Sequence, residues 1–122
     1  DINMEIAGTF IQQYGCAIEQ AWDGEEAVRM IKGMPKGYYK LVFMDIQMPK
    51  MDGYEATRRI RQMEQSQGAS HIPIVAMSAN AFVEDMDKAY TAGMDDYITK
   101  PIALEEISNV LKKYVGGIGK SL

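Results

Sequence analysis

The sequence is poor in several residues on which common chemistries depend. It has one cysteine, Cys16, so no disulfide can close within the chain, and one histidine, His71. A lone histidine in a polar loop is a weak basis for a zinc site or a Ser-His-Asp triad. No apolar run approaches the roughly 20 residues of a membrane span, and no signal-peptide pattern is present. The phosphate-cradling patterns G-x-G-x-x-G and G-x-x-x-x-G-K-[ST] are missing. Positive charge is also scarce: 13 Lys and Arg stand against 17 Asp and Glu, a net charge of -4. That balance argues against nonspecific nucleic-acid binding, which needs a basic surface. The one basic cluster, Arg58, Arg59 and Arg61, is expected to be a solvated helix face. Cys16 follows Gly15 and opens an apolar segment, so a buried structural thiol is expected. That fits a reducing, cytoplasmic setting.

What is present suits one domain with a packed core: 122 residues, 47% hydrophobic and 25% charged. Ile6, Ala7, Phe10, Ile11 and Tyr14 recur at helical spacing, and Gly15 closes that run. Residues 16–21 (CAIEQA) alternate like a short strand. Asp23 caps a helix through DGEEAVRMIK with Glu26 as reciprocal partner, and Asp52 with Glu55 repeats the device before GYEATRRIRQMEQ. KLVFMD (40–45), IPIVAMSA (72–79) and DDYITKP (95–101) read as strands. Helices follow the last two, with Phe82, Met86, Ala89 and Tyr90 on one side of the first and Leu104, Ile107, Leu111 and Tyr114 on one side of the second. Apolar strands alternating with helices imply an α/β fold with a parallel sheet covered on both faces. The domain is expected to span 1–115, with 116–122 (the GGIGKSL tail) a flexible tail or linker.

In an open parallel sheet the functional crevice lies beyond the carboxyl ends of the strands. Three successive strands end there in Asp45, Ser78 and Lys100. A carboxylate, a hydroxyl and an ammonium on one edge suit a phosphoryl group. The carboxylate can act as nucleophile and form an aspartyl phosphate, the hydroxyl can bond a phosphate oxygen, and the lysine supplies a mobile charge. Phosphoryl transfer also favours Mg²⁺. Asp45 offers it one oxygen, and a backbone carbonyl just after Asp45 offers another.

The motifs FMDIQMPKMDGYEA, PIVAMSANA and AGMDDYITKPI, in that order and spacing, resemble the receiver domains of two-component response regulators. MSANAF and TKPI look most like receivers attached to hybrid sensor histidine kinases. The resemblance implies a flavodoxin-like doubly wound parallel sheet of order 2-1-3-4-5. It implies that Asp45 accepts a phosphoryl group from a phosphohistidine on a sensor histidine kinase or a histidine phosphotransfer domain. The domain would catalyse its own phosphorylation and dephosphorylation. Ser78 matches the switch hydroxyl, Lys100 its paired lysine and Tyr97 the aromatic that swings between rotamers. Gln47 matches the residue that gives its backbone carbonyl to the metal. Pro49 and Gly53 match the loop into the next helix, and Pro101 matches a proline often preceded by a cis bond.

One part of the family pattern has no counterpart. The receiver fold begins with an apolar strand ending in two acidic residues that help hold Mg²⁺, and this sequence begins past it at Asp1. Asp95 and Asp96 precede the last strand and so stand on the wrong side of the sheet. The expectation is therefore a receiver sheet with its first strand absent from this chain and Mg²⁺ binding weak or lost. Three readings follow. The strand precedes these residues in the natural protein, another molecule supplies it in a swapped or homo-oligomeric assembly, or the sheet is rearranged in a metal-free variant. The leading function is a phosphoacceptor module of a phosphorelay. The alternative is a non-phosphorylated pseudo-receiver used as a protein-interaction module. Direct contact with nucleic acid or membrane is not expected.

Overall fold

The computed structural model describes residues 2–68, 71–80 and 82–116. Asp1 and most of the expected tail lie outside the described residues. The elements run α1 (Ile2–Gln13), α2 (Gly24–Lys32), β1 (Val42–Asp45), α3 (Gly53–Gln67), β2 (Ile74–Ser78), α4 (Val83–Ala92), β3 (Asp96–Thr99) and α5 (Leu104–Tyr114). The three strands are parallel in the order β1-β2-β3, with Val42 opposite Ile74 and Val75 opposite Asp96. This is the last three positions of the expected order.

β2 sits centrally, and all five of its residues are buried. Side chains alternate across a strand, so β2 feeds two cores. Val75 and Met77 join Ala7, Ile98, Ile107 and Leu111 under α1 and α5. Ile74 and Ala76 join Met44, Ala56, Ile60 and Ala89 on the α3 and α4 side, where Val28 and Ile31 of α2 also pack. Each fully buried aliphatic side chain contributes roughly 1.5–3 kcal/mol. The layering is helices, sheet, helices, as the apolar strands require.

Residues 16–21 do not form the expected strand. A strand exists through its ladder, and among the described residues β1 pairs on one edge only, with β2. Side chains hold the segment instead. Cys16 is half-buried against the α1–α5 core. Glu19 accepts hydrogen bonds from Tyr38 (2.9 Å) and Tyr39 (2.6 Å) in the loop before β1. Its carboxylate holds the Tyr39 hydroxyl's pKa up at about 12.

The helix starts follow their caps in part. Asp23 accepts from the Glu26 amide (2.8 Å) and Asp52 from the Glu55 amide (2.9 Å). The reciprocal bonds go elsewhere. Glu26 takes the Trp22 amide, and Glu55 turns to Arg58 and Arg59. Three expected faces also shift. Phe82 is the uncapped N-terminal boundary of α4, exposed like Tyr90, and the buried residues of that helix are Ala89 and Ala92. Leu104 is exposed at the start of α5, whose buried residues are Ile107, Val110 and Leu111. Ile6 is exposed on α1, whose buried residue is Ala7.

Candidate functional site

The register brings the three strand ends to one edge. Asp45 lies opposite Met77, one residue before Ser78, and Ser78 lies opposite Thr99, one residue before Lys100. The Ile46 amide bonds the Met77 carbonyl and the Lys100 amide bonds the Ser78 carbonyl, extending the ladder past the last strand residues. β1 and β3 are separated by β2, about 10 Å apart. The long lysine side chain spans that gap, and Lys100 Nζ donates to Asp45 Oδ2 at 2.7 Å. The pair is roughly one third exposed on each side. Solvent screening keeps its net contribution to folding small, so its main consequence is placement of a cation on the carboxylate.

The other carboxylate oxygen, Asp45 Oδ1, accepts from the Gln47 amide at 3.1 Å. Ser78 is 4% exposed, and its hydroxyl oxygen accepts from the Asn80 amide at 3.1 Å. A hydroxyl oxygen accepting a bond still has its own proton to give. Tyr97 is half-buried, and its hydroxyl donates to the Asn80 carbonyl at 2.8 Å. Asn80 is thus bonded on one side by the hydroxyl at the strand end and on the other by the aromatic of β3. Residue type carries no sign that Asn80 takes part, because both of its bonds run through its backbone.

The loop between Asp45 and α3 is tightly constrained. The Gly53 amide bonds the Ile46 carbonyl at 2.9 Å. A Cβ at Gly53 would overlap the Asp45 carbonyl oxygen and press on Ile46 Cα. Glycine there lets α3 start directly against the strand that carries Asp45. Lys50 holds a left-handed backbone conformation, φ 66°, in the middle of the loop. The peptide bond between Lys100 and Pro101 is cis. An open groove of about 530 Å³ lies beside the strand ends, lined among others by Gln47, Pro49, Tyr54, Ser78, Asn80 and Asp85.

Magnesium takes hard oxygen donors in octahedral geometry, usually including one or two carboxylates. Among the described residues no three acidic, histidine or cysteine side chains stand together as a metal site. Asp45 is already shared between Lys100 and the Gln47 amide. Asp45 and the Gln47 carbonyl by themselves do not make a magnesium site.

A second polar cluster lies at the opposite end of the sheet. Asp95, before β3, accepts from Arg61 (2.9 Å), from the Ile74 amide (2.8 Å) and approaches His71 Nε2 at 2.7 Å. Asp96 is bonded by Lys113 and Tyr114. Arg61 is not solvated as its cluster suggested. Its side chain is 14% exposed and donates to Glu64, Asp95 and the carbonyls of Ile72 and Gly93. Arg58 and Arg59 are exposed and pair with Glu55, as expected of a solvated face. Among the described residues no helix is long and apolar enough to cross a membrane.

A family model, the response regulator receiver domain, matches residues 1–112. Hybrid signal transduction histidine kinase L of Dictyostelium discoideum is 40% identical over 113 residues, which are 93% of this chain and 7% of that protein. The sensor histidine kinase GacS of Pseudomonas protegens is 35% identical over 114 residues, 93% of this chain and 12% of that protein. The chain therefore spans a small fraction of the length of these relatives. Among solved structures, the receiver domain of Saccharomyces cerevisiae Ssk1, crystallised with the histidine phosphotransfer protein Ypd1, superposes with a TM-score of 0.84 at 33% identity, covering 93% of this chain and 81% of that one. The receiver domain of the Pseudomonas aeruginosa sensor histidine kinase PA1611, with magnesium coordinated in its active-site cleft, gives 0.79 at 32% identity, covering 95% of this chain and 90% of that one.

Proposed function

The chain belongs to the response regulator receiver domains of two-component signalling, and we propose that Asp45 is its phosphoacceptor. The observation that carries the reading is the 2.7 Å pair between Lys100 and Asp45 beside a buried strand-end hydroxyl, Ser78. In the step we propose, a carboxylate oxygen of Asp45 attacks the phosphorus of a phosphohistidine. The N–P bond breaks, the imidazole keeps that electron pair, and an acyl phosphate forms. Lys100 then moves from the carboxylate to the phosphoryl oxygens, and the Ser78 proton turns toward them. Movement of Ser78 is felt at Asn80, which is held by Tyr97. This is a local charge event biasing a two-state element, with the output read on the surface of α4 and β3.

The donor in this reading is a histidine kinase or a histidine phosphotransfer protein, the kind of partner crystallised with the Ssk1 receiver. The setting is the cytoplasm. For magnesium, Asp45 and the Gln47 carbonyl are the donors this chain offers. Incubation of the full-length protein with acetyl phosphate and Mg²⁺, followed by intact-mass measurement, should show one added phosphate, and Asp45→Asn should show none. Equal labelling of Asp45→Asn would remove the assignment. A wild-type chain that takes no phosphate would leave a receiver fold used only as a binding surface.

A further inference from the structure

The segment that leaves Ser78 is gripped by two phenols. Tyr97 reaches the Asn80 carbonyl from β3, and Tyr54, in the first turn of α3, donates to the Asp85 carbonyl in α4 at 3.3 Å. The second bond falls where α4 is otherwise poorly held. Phe82 provides no side-chain cap, and the buried residues of the helix, Ala89 and Ala92, lie in its second half. Phe82 and Val83 are 63% and 69% exposed. Tyr54 itself is firmly placed, its ring packed against the α3–α4 core. Burial, reinforced by the nearby Asp85 carboxylate, raises its pKa, so the hydroxyl remains a donor. Tyr54 and Asp85 both line the groove beside the strand ends.

We propose that Tyr54 is a positioning residue for the Asp45 site: its hydroxyl anchors the first turn of α4 and keeps that turn in place as a wall of the groove. The proposal rests on the phosphoacceptor reading for its chemical consequence. Hydrolysis of an acyl phosphate on Asp45 needs a water at phosphorus. Asp45 is already about one third exposed, so the turn does not seal the site. It covers the groove side, and a turn that opens more often leaves that side unshielded more often, so Tyr54 lengthens the life of the phosphorylated state.

Tyr54→Phe removes the hydroxyl and keeps the ring in the core. The full-length protein and this variant are labelled with acetyl phosphate and Mg²⁺, freed of reagent, and followed by intact mass. Amide hydrogen exchange is measured on both without phosphate. The expected result is a phosphoryl lifetime shortened about two- to tenfold, the range one neutral hydrogen bond can supply. Exchange should be faster at Asp85 and Met86, whose amides bond the Phe82 carbonyl at 3.1 Å, with β2 unchanged. A purely structural role would speed exchange without moving the lifetime, and that outcome overturns the proposal. So does unaltered exchange at α4. If the wild type takes no phosphate, the phosphoacceptor reading falls and the lifetime role falls with it. If it labels but the lifetimes agree, the clamp alone is wrong.

Discussion

Arg61→Met tests whether the far end of the sheet is held by buried polar bonds. Methionine keeps most of the stem that packs against Gly93 and removes the guanidinium. Four acceptors lose a donor: Glu64 Oε1, Asp95 Oδ2 and the carbonyls of Ile72 and Gly93. Removing one partner of a buried ion pair costs about 3–5 kcal/mol, because the remaining charge is left uncompensated. Here the losses are softened. Glu64 keeps the Ile72 amide and Asp95 keeps the Ile74 amide, and the carboxylates retain 13% and 23% exposure. The lower end, about 3 kcal/mol, is therefore expected. For a chain of this length that corresponds to a Tm lower by roughly 12 °C, at about 4 °C per kcal/mol. Urea and thermal unfolding followed by circular dichroism measure both quantities. Arg59→Met is the control, since Arg59 is 54% exposed and its pair with Glu55 is screened. It should shift stability by less than about 0.5 kcal/mol. The reasoning is refuted if the two variants unfold together, or if Arg61→Met loses less than about 1 kcal/mol.

Two further substitutions probe the frame of the site. Gly53→Ala places a methyl against the Asp45 carbonyl and Ile46, and should destabilise by about 1–3 kcal/mol while reducing phosphate uptake at Asp45. An unchanged urea midpoint would show that the loop can give way. Asp23 caps α2, and its pKa lies below the usual value chiefly because it accepts the Glu26 amide. A carboxylate lowered on folding contributes stability above its unfolded pKa and loses it as pH falls through the folded one. The gap in urea midpoint between wild type and Asp23→Ala should therefore be full at pH 6 and shrink below about pH 3.9. A gap independent of pH would remove the cap from the explanation.

Much of the site was legible because it is written in local pattern. Apolar runs that end in Asp45, Ser78 and Lys100 reveal both the strands and the edge they share, since strand direction and period are properties of short stretches. Asn80 and Tyr54 were not legible as participants. One acts through its backbone amide and carbonyl, and the other donates to a backbone carbonyl, so residue type carries no sign of either bond.

By itself, then, the sequence determined the α/β alternation, the parallel sheet with two covered faces and the residue types at the strand ends. Each of these follows from periodicity and from caps a few residues long. Only the tertiary structure decided whether residues 16–21 are a strand, because a ladder needs a neighbour and no local pattern supplies one. It likewise decided that Arg61 is enclosed while Arg58 and Arg59 are solvated, since the acceptors Asp95 and Gly93 arrive from more than 30 residues away. And it decided that Lys100 reaches Asp45, 55 positions earlier in the chain, because that distance is set by the width of one intervening strand.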